Sequence, residues 1–213
     1  VKYEFLGYLS AGAVCLEKNK LKFTTENEYN INRFAKLISN LQYRNYEIEM
    51  IGRNFCITLN QKIELPEVFY QEHKIEINQK MVRKIIKEEE DLSRALVRGC
   101  FLGGGSITNP ENRYHLEIRF SEQKNAEMIE NVLTSYEINF GKMKKAKGFS
   151  IYMKDGDEIS KFLALINASH SVLKFEEIRV YRDIKNQVNR KVNCETANLN
   201  KTVNAALQQI ENI

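Results

Sequence analysis

Residues Leu96–Ser106 read LVRGCFLGGGS, an apolar helical segment that runs straight into three consecutive glycines. Ordering such a run is costly, because glycine loses more backbone entropy than any other residue. The segment has a counterpart near the start of the chain. EFLGYLSAGAV (Glu4–Val14) aligns with LVRGCFLGGGSI (Leu96–Ile107) when Gly7 is set on Gly99. Both read apolar, any residue, glycine, two apolar or aromatic residues, one variable position, then small, glycine, small.

The alignment continues downstream. LKFTTENEYNINRFAKLI (Leu21–Ile38) lines up with HLEIRFSEQKNAEMIENVL (His115–Leu133), setting Phe23 on Ile118, Phe34 on Ile129 and Leu37 on Val132. RNFCITL (Arg53–Leu59) lines up with KGFSIYM (Lys147–Met153), setting Phe55 on Phe149. The offsets of 92, 95 and 94 residues describe a diverged tandem duplication with small loop insertions.

Local patterns agree between the copies. Lys20–Thr24, Tyr46–Met50, Arg113–Phe120 and Phe149–Met153 alternate with period two, as half-buried strands do. Ile31, Phe34, Ala35 and Ile38 form one helical stripe; Ala126, Ile129, Val132 and Leu133 form the other. A further helix, DEISKFLALINAS, follows the second copy, and Asn78–Leu102 reads as helical throughout. The predicted fold is α+β: two pseudo-twofold units, αββαββ repeated, with two mixed or antiparallel sheets. The units fall at residues 1–77 and, with a linker helix, 78–174, followed by a C-terminal helical connector at 175–213.

Gly7-xxx-Ala11 and Gly99-xxx-Gly103 place small residues four apart on one helix face. Two such helices pack backbone to backbone, so Gly7, Ala11, Gly99 and Gly103 are the predicted interface. The glycine run then ends its helix and turns the chain tightly into the next strand. A phosphate-binding P-loop is not indicated: nothing matches GxxxxGK[ST], GxGxxG is absent, and the glycines follow a helix rather than open one.

Composition bounds the function. The chain has 213 residues, 43% hydrophobic and 28% charged, with a net charge of +4 that mildly favours an acidic partner. The longest apolar runs, such as FLALI, are far too short to span a bilayer. The opening VKYEFLGYL lacks the features of a secretory leader, and it lacks an initiator Met, as a processed or trimmed chain would. The four cysteines are far apart and form no zinc-binding spacing. Cys15, Cys56 and Cys100 read as reduced core residues of a cytoplasmic protein. His73, His115 and His170 are isolated and read as surface or satisfied histidines. No metal or cofactor is expected.

The paired glycine helices resemble the signature helices of LAGLIDADG homing endonucleases, in which two such helices form the interface and two curved sheets make a saddle over DNA. On the nine-letter motif, Phe5–Ala13 is FLGYLSAGA and Val97–Gly105 is VRGCFLGGG. The likeness fails at the eighth letter, the nuclease's metal-binding carboxylate, where this chain has Gly12 and Gly104. Metal-assisted phosphodiester cleavage needs acidic oxygens at the scissile phosphate, and glycine offers only a carbonyl. The nearest acids in sequence, Glu17 and Glu111, are five and seven residues on. At helical rise that is roughly 7–10 Å away. No catalytic residue is therefore expected.

GCFLGGGSITNPENRYHLEI (Gly99–Ile118), VNCETANLNKTVNAALQQIENI (Val192–Ile213) and TTEN (Thr24–Asn27) resemble the WhiA family of bacterial regulators. That resemblance implies a degenerate LAGLIDADG domain joined to a C-terminal helix-turn-helix domain. It also implies DNA binding, and a role in cell division, chromosome segregation or sporulation-linked transcription, in the cytoplasm at the nucleoid. The helix-turn-helix domain is expected to follow Ile213 and to be absent here, with Leu199, Val203, Leu207 and Ile210 docking a connecting helix. DNA is then the partner, mainly through that absent domain, with transcription machinery or another protein as a further partner and no membrane.

Polar alternates on the strands are the candidate DNA contacts of the scaffold itself: Lys20 and Lys22, then Arg113, His115 and Arg119, then Lys154. The segment KMKKAK, read as a turn, adds Lys142, Lys144 and Lys145. Such side chains give salt-dependent, sequence-independent binding. Polar alternates also mark any solvated sheet, and Glu47, Glu49 and Glu117 repel phosphate. A divergent metal-dependent endonuclease, and a protein-interaction module without DNA contact, are the alternatives.

Overall fold

The computed structural model describes residues 1–17, 20–71, 74–146 and 148–211; His73 and Lys147 lie outside these. The first unit runs α1 (Lys2–Ser10), β1 (Val14–Glu17), β2 (Lys20–Thr25), α2 (Glu28–Asn40), β3 (Tyr46–Ile51) and β4 (Asn54–Leu59). A hairpin, β5 (Val68–Gln71) and β6 (Lys74–Ile77), and a helix, α3 (Gln79–Glu88), come next. The second unit repeats the order: α4 (Glu90–Gly104), β7 (Gly105–Ile107), β8 (Leu116–Phe120), α5 (Gln123–Ser135), β9 (Gly141–Lys145) and β10 (Gly148–Met153). Helices α6 (Gly156–Leu165) and α7 (Ser169–Glu211) follow.

Each unit builds one four-stranded antiparallel sheet, in the orders β1-β2-β4-β3 and β7-β8-β10-β9. Their registers are equivalent. Phe23 pairs Ile57 and Thr25 pairs Phe55 in the first sheet; Ile118 pairs Ile151 and Phe120 pairs Phe149 in the second. On the central strands, Leu21, Phe23, Ile57 and Leu59 are buried on the side of α2, and Leu116, Ile118, Ile151 and Met153 on the side of α5, while the outer strands β3 and β9 are largely exposed.

The helix pair joins the units, and the contact of α1 with α4 is the most extensive between any two elements. A Cβ on Gly7 would run into the Leu96 carbonyl and lie 2.7 Å from the Cys100 nitrogen. A Cβ on Gly99 would run into the Glu4 carbonyl and lie 3.0 Å from the Gly7 Cα. Glu4 and Leu96 are equivalent positions in the duplication, so the two clashes are reciprocal, as a twofold contact requires. Above them Gly103 sits against Tyr8, whose Cα would be 2.9 Å from an added Cβ.

A buried ion cluster spans the same seam. The Glu4 carboxylate, 3% exposed, accepts from Arg33 Nε and Nη2 at 2.6 and 2.8 Å, and from Arg98 Nε and Nη2 at 3.2 and 3.1 Å. Burial pushes the Glu4 pKa up, but the two guanidiniums outweigh it and hold the group below the usual carboxylate range. Asn30 adds a neutral tie, accepting from Tyr8 at 2.5 Å and donating to the Leu102 carbonyl at 2.7 Å.

Several sequence expectations are corrected. The helix over Asn78–Leu102 is broken at Glu89, whose extended backbone (φ −130°, ψ 107°) separates α3 from α4. The hairpin β5–β6 was not expected, because Pro66 and the charges around it mask the alternation. The strand expected from Arg113 begins at Leu116, after a turn in which Asn112 donates to the Asn109 carbonyl at 3.0 Å. Lys142, Lys144 and Lys145 lie on β9, not in a turn. Cys15 is exposed rather than core, since it alternates outward on edge strand β1. The glycine run makes no tight turn: α4 continues through Gly104, and Gly105 is extended at φ −86°, ψ 154°.

We expect Gly99→Ala to cost about 3 kcal/mol, the upper end for overpacking, because the obstructing atoms are backbone and cannot rotate away. Chemical denaturation reads this directly; an unchanged midpoint would show that the helices separate freely.

Candidate nucleic-acid interface

Where a LAGLIDADG nuclease carries its carboxylates, this chain has a cleft of about 640 Å³ lined by Gly12, Gly104, Thr25, Ser106 and Arg119. The pair of glycines is not symmetric. Helix α1 stops at Ser10, and the freed Gly12 N–H donates to the Arg119 carbonyl at 3.0 Å while Ala13 N–H donates to Gly103 at 3.1 Å. Helix α4 runs on to Gly104, pressed against the same Arg119 carbonyl; an added Cβ would be 2.6 Å from it. At Gly12 that distance is 3.5 Å, ordinary contact. Neither Glu17 nor Glu111 lines the cleft; Glu26 does, and it was not foreseen. Among the described residues, no three His, Cys, Asp or Glu side chains are placed to hold a metal ion.

The outward faces of the two sheets differ in charge. In the first sheet, Lys20, Lys22 and Thr24 share a face with Glu17, Glu47 and Glu49, as the registers Glu17–Lys20, Lys22–Thr58–Glu47 and Thr24–Cys56–Glu49 require. Lys22 is tied to Glu17 at 3.1 Å. The acids outnumber the lysines, so phosphate is disfavoured there.

In the second sheet, His115, Arg119, Lys145 and Ser150 cluster around Glu117. Lys145 pairs with the Glu117 carboxylate, Ser150 donates to it at 2.6 Å, and Arg119 and His115 stand at 4.0 and 3.7 Å. Burial pushes the Glu117 carboxyl up, but the hydrogen bonds from Lys145 and Ser150, with the Lys145 and Arg119 charges, bring it down to about 2. His115 stacks on Tyr152 with ring centroids 6.2 Å apart, and the Lys154 ammonium sits 5.1 Å from the same ring. One carboxylate faces three permanent cations on this surface.

The remaining candidates lie elsewhere. Lys142 and Lys144 pair in register with Ile151 and Phe149, so they point to the helix side of β9, where Lys142 bonds Glu130 of α5 at 2.5 Å. Arg113 is exposed in the loop before β8. The nine candidates therefore do not form one patch. Basic positions outside those nine lie on α7: Lys185, Arg190 and Lys191 are exposed on a helix that stands clear of the core beyond its first turns.

The WhiA LAGLIDADG-like domain family matches residues 93–185, and the WhiA C-terminal HTH domain family matches residues 188–213. Over these residues the chain is homologous to WhiA proteins. Proteins of Staphylococcus aureus strains JH9 and Newman, each named "Probable cell division protein WhiA", are 47% identical over 127 residues, which is 59% of this chain. The match spans 40% of the length of those relatives. The crystal structure of full-length DUF199/WhiA from Thermatoga maritima aligns at TM-score 0.66 and 25% identity, over 95% of this chain and 67% of that one. The N-terminal LAGLIDADG domain of DUF199/WhiA aligns at TM-score 0.61 and 23% identity, over 77% of this chain and 79% of that one.

These matches correct the reading of the C-terminal segment. Residues 188–213 match the HTH domain itself and are not merely a connector to an absent one. Leu199, Val203, Leu207 and Ile210 do not dock on the scaffold either; all four are exposed on α7. The string NCETANLNKT carries the family likeness in both readings, but its apolar spacing alone does not tell a connecting helix from a domain helix. No helix of the described residues is long and apolar enough to cross a membrane.

Two outcomes are expected. Gly12→Asp should fold with a near-native melting temperature, whereas Gly104→Asp should cost several kcal/mol, on the order of a severe overpacking change; equal losses would contradict the asymmetry. The Glu117 carboxyl should titrate near pH 2 in the folded chain by carbon-detected NMR. Its folded value lies below the unfolded one, so its stabilisation is complete above about pH 4.3 and is lost as pH falls through the folded value. A midpoint above 4 would remove the cluster.

Proposed function

We propose that the chain is part of a non-catalytic, DNA-binding transcriptional regulator acting in cell division, chromosome segregation or sporulation, in the cytoplasm at the nucleoid. The observation that carries this is the HTH-domain match at residues 188–213, on a helix with exposed Lys185, Arg190 and Lys191 beside and within it. The reading divides the chain into a first unit (1–77), a second unit with its linker helix (78–174) and the helical arm from 175. The arm binds DNA; the scaffold orients it and contacts transcription machinery or another protein. Cleavage is not part of the function in this reading: Gly12 and Gly104 offer no side-chain oxygen.

A second contact is favoured by the charge of the second sheet. His115, Arg119, Lys145 and Lys154 face one way around a single carboxylate, and phosphate competes with Glu117 for Lys145 and Arg119. Lys20 and Lys22 face three glutamates and are assigned no DNA role. Lys142 and Lys144 turn to the helix side.

Fluorescence anisotropy of the chain on duplex DNA, titrated with salt, tests both parts. Arg190→Ala with Lys191→Ala should weaken binding most. Arg119→Ala should reduce the slope of log affinity against log salt by about 1, and Lys22→Ala should leave it unchanged. Absence of binding at low salt refutes the arm. Equal slopes for the Arg119 and Lys22 variants refute the sheet contact. Reproducible Mg²⁺-dependent nicking of plasmid refutes the non-catalytic reading.

A further inference from the structure

We propose that the cavity at the base of α7 binds a small organic anion with an apolar body. Its volume is about 940 Å³, at the size of a small-molecule site. Three parts of the chain build it: α2 supplies Arg33, α4 supplies Arg98 and Phe101, and the α6–α7 corner supplies Leu163, Lys174 and Phe175. The corner opens the space. Helix α6 stops at Leu165, Asn167 takes a left-handed φ of 59°, and α7 begins at Ser169.

The apolar floor is held in place. Phe101 packs edge-on against Phe162 with centroids 5.5 Å apart, and Phe175 packs on Tyr114 at 5.6 Å. The outer wall, Asn109–Glu111, is tied to α7 by Arg182, which donates to the Pro110 carbonyl at 2.5 Å and lies 4.4 Å over the Tyr114 ring.

The rim is short of negative charge. Arg33 and Arg98 share one carboxylate, Glu4, and Lys174 makes no ion pair among the described residues. Against these stands Glu111, which accepts from Asn109 at 3.2 Å. The three cations exceed the two carboxylates by one. A neutral apolar ligand would leave that excess unmatched, whereas a carboxylate or sulfonate on an apolar body satisfies both the cations and the apolar floor.

The test is displacement of 8-anilinonaphthalene-1-sulfonate from the chain by decanoate. Decanoate should displace the dye from a saturable site, and decyltrimethylammonium, with the same tail and opposite charge, should not. Lys174→Glu should weaken decanoate about tenfold, the scale of one charged hydrogen bond, and Lys174→Arg should restore it. Neither variant should move the melting temperature, because Lys174 is exposed. Equal displacement by the cationic detergent would overturn the proposal. So would wild-type decanoate affinity in Lys174→Glu at unchanged stability, which would place the dye on the exposed apolar stripe of α7. The outcome is independent of DNA binding.

Discussion

The carbonyl oxygens of Glu4 and Leu96 occupy the space where side chains on Gly99 and Gly7 would begin. Everything else in the scaffold is positioned from that contact. Two helices at backbone contact fix the two sheets relative to each other, and at Gly7 and Gly99 the close approach leaves no room for a Cβ. Glu4 serves twice there: its carbonyl touches Gly99, and its carboxylate draws in one arginine from α2 and one from α4. Removing either arginine would leave a buried charge partly compensated, which is why such clusters tie elements together more firmly than their net energy suggests.

Duplication made the two sheets geometrically equivalent, and divergence then separated their chemistry. Phe23–Ile57 and Ile118–Ile151 do the same packing in the same register. On the opposite face, one sheet presents three glutamates against two lysines, and the other presents three permanent cations against one glutamate. The inward positions are constrained by core volume. The outward ones are free to change charge, so partner preference can shift in one half without disturbing the fold.

Much of the fold was legible, because glycine spacing and period-two alternation are local signals that survive divergence. Setting Gly7 on Gly99 and Phe55 on Phe149 identified the repeat that the strand registers show. What escaped was set by tertiary context. Strand β9 carries three lysines and reads as a turn; only its hairpin partner reveals that Lys142 and Lys144 point to the helices while Lys145 points outward. The break at Glu89 has no proline or glycine to announce it. The reason for the glycine run also lay out of reach. Gly104 is small because the Arg119 carbonyl, from a strand fifteen residues on, lies against it.

The identity of the obstructing atoms at the helix seam has a genetic consequence. When a side chain blocks a larger neighbour, a second mutation can trim it and restore the fit. At Gly7 and Gly99 the obstruction is main chain, which every amino acid shares. No substitution in the opposite helix can make room, so a lesion at either glycine has no direct intragenic suppressor across the seam. Rescue could come only from stabilising the protein elsewhere, which makes these two positions a stringent place to search for global stabilisers.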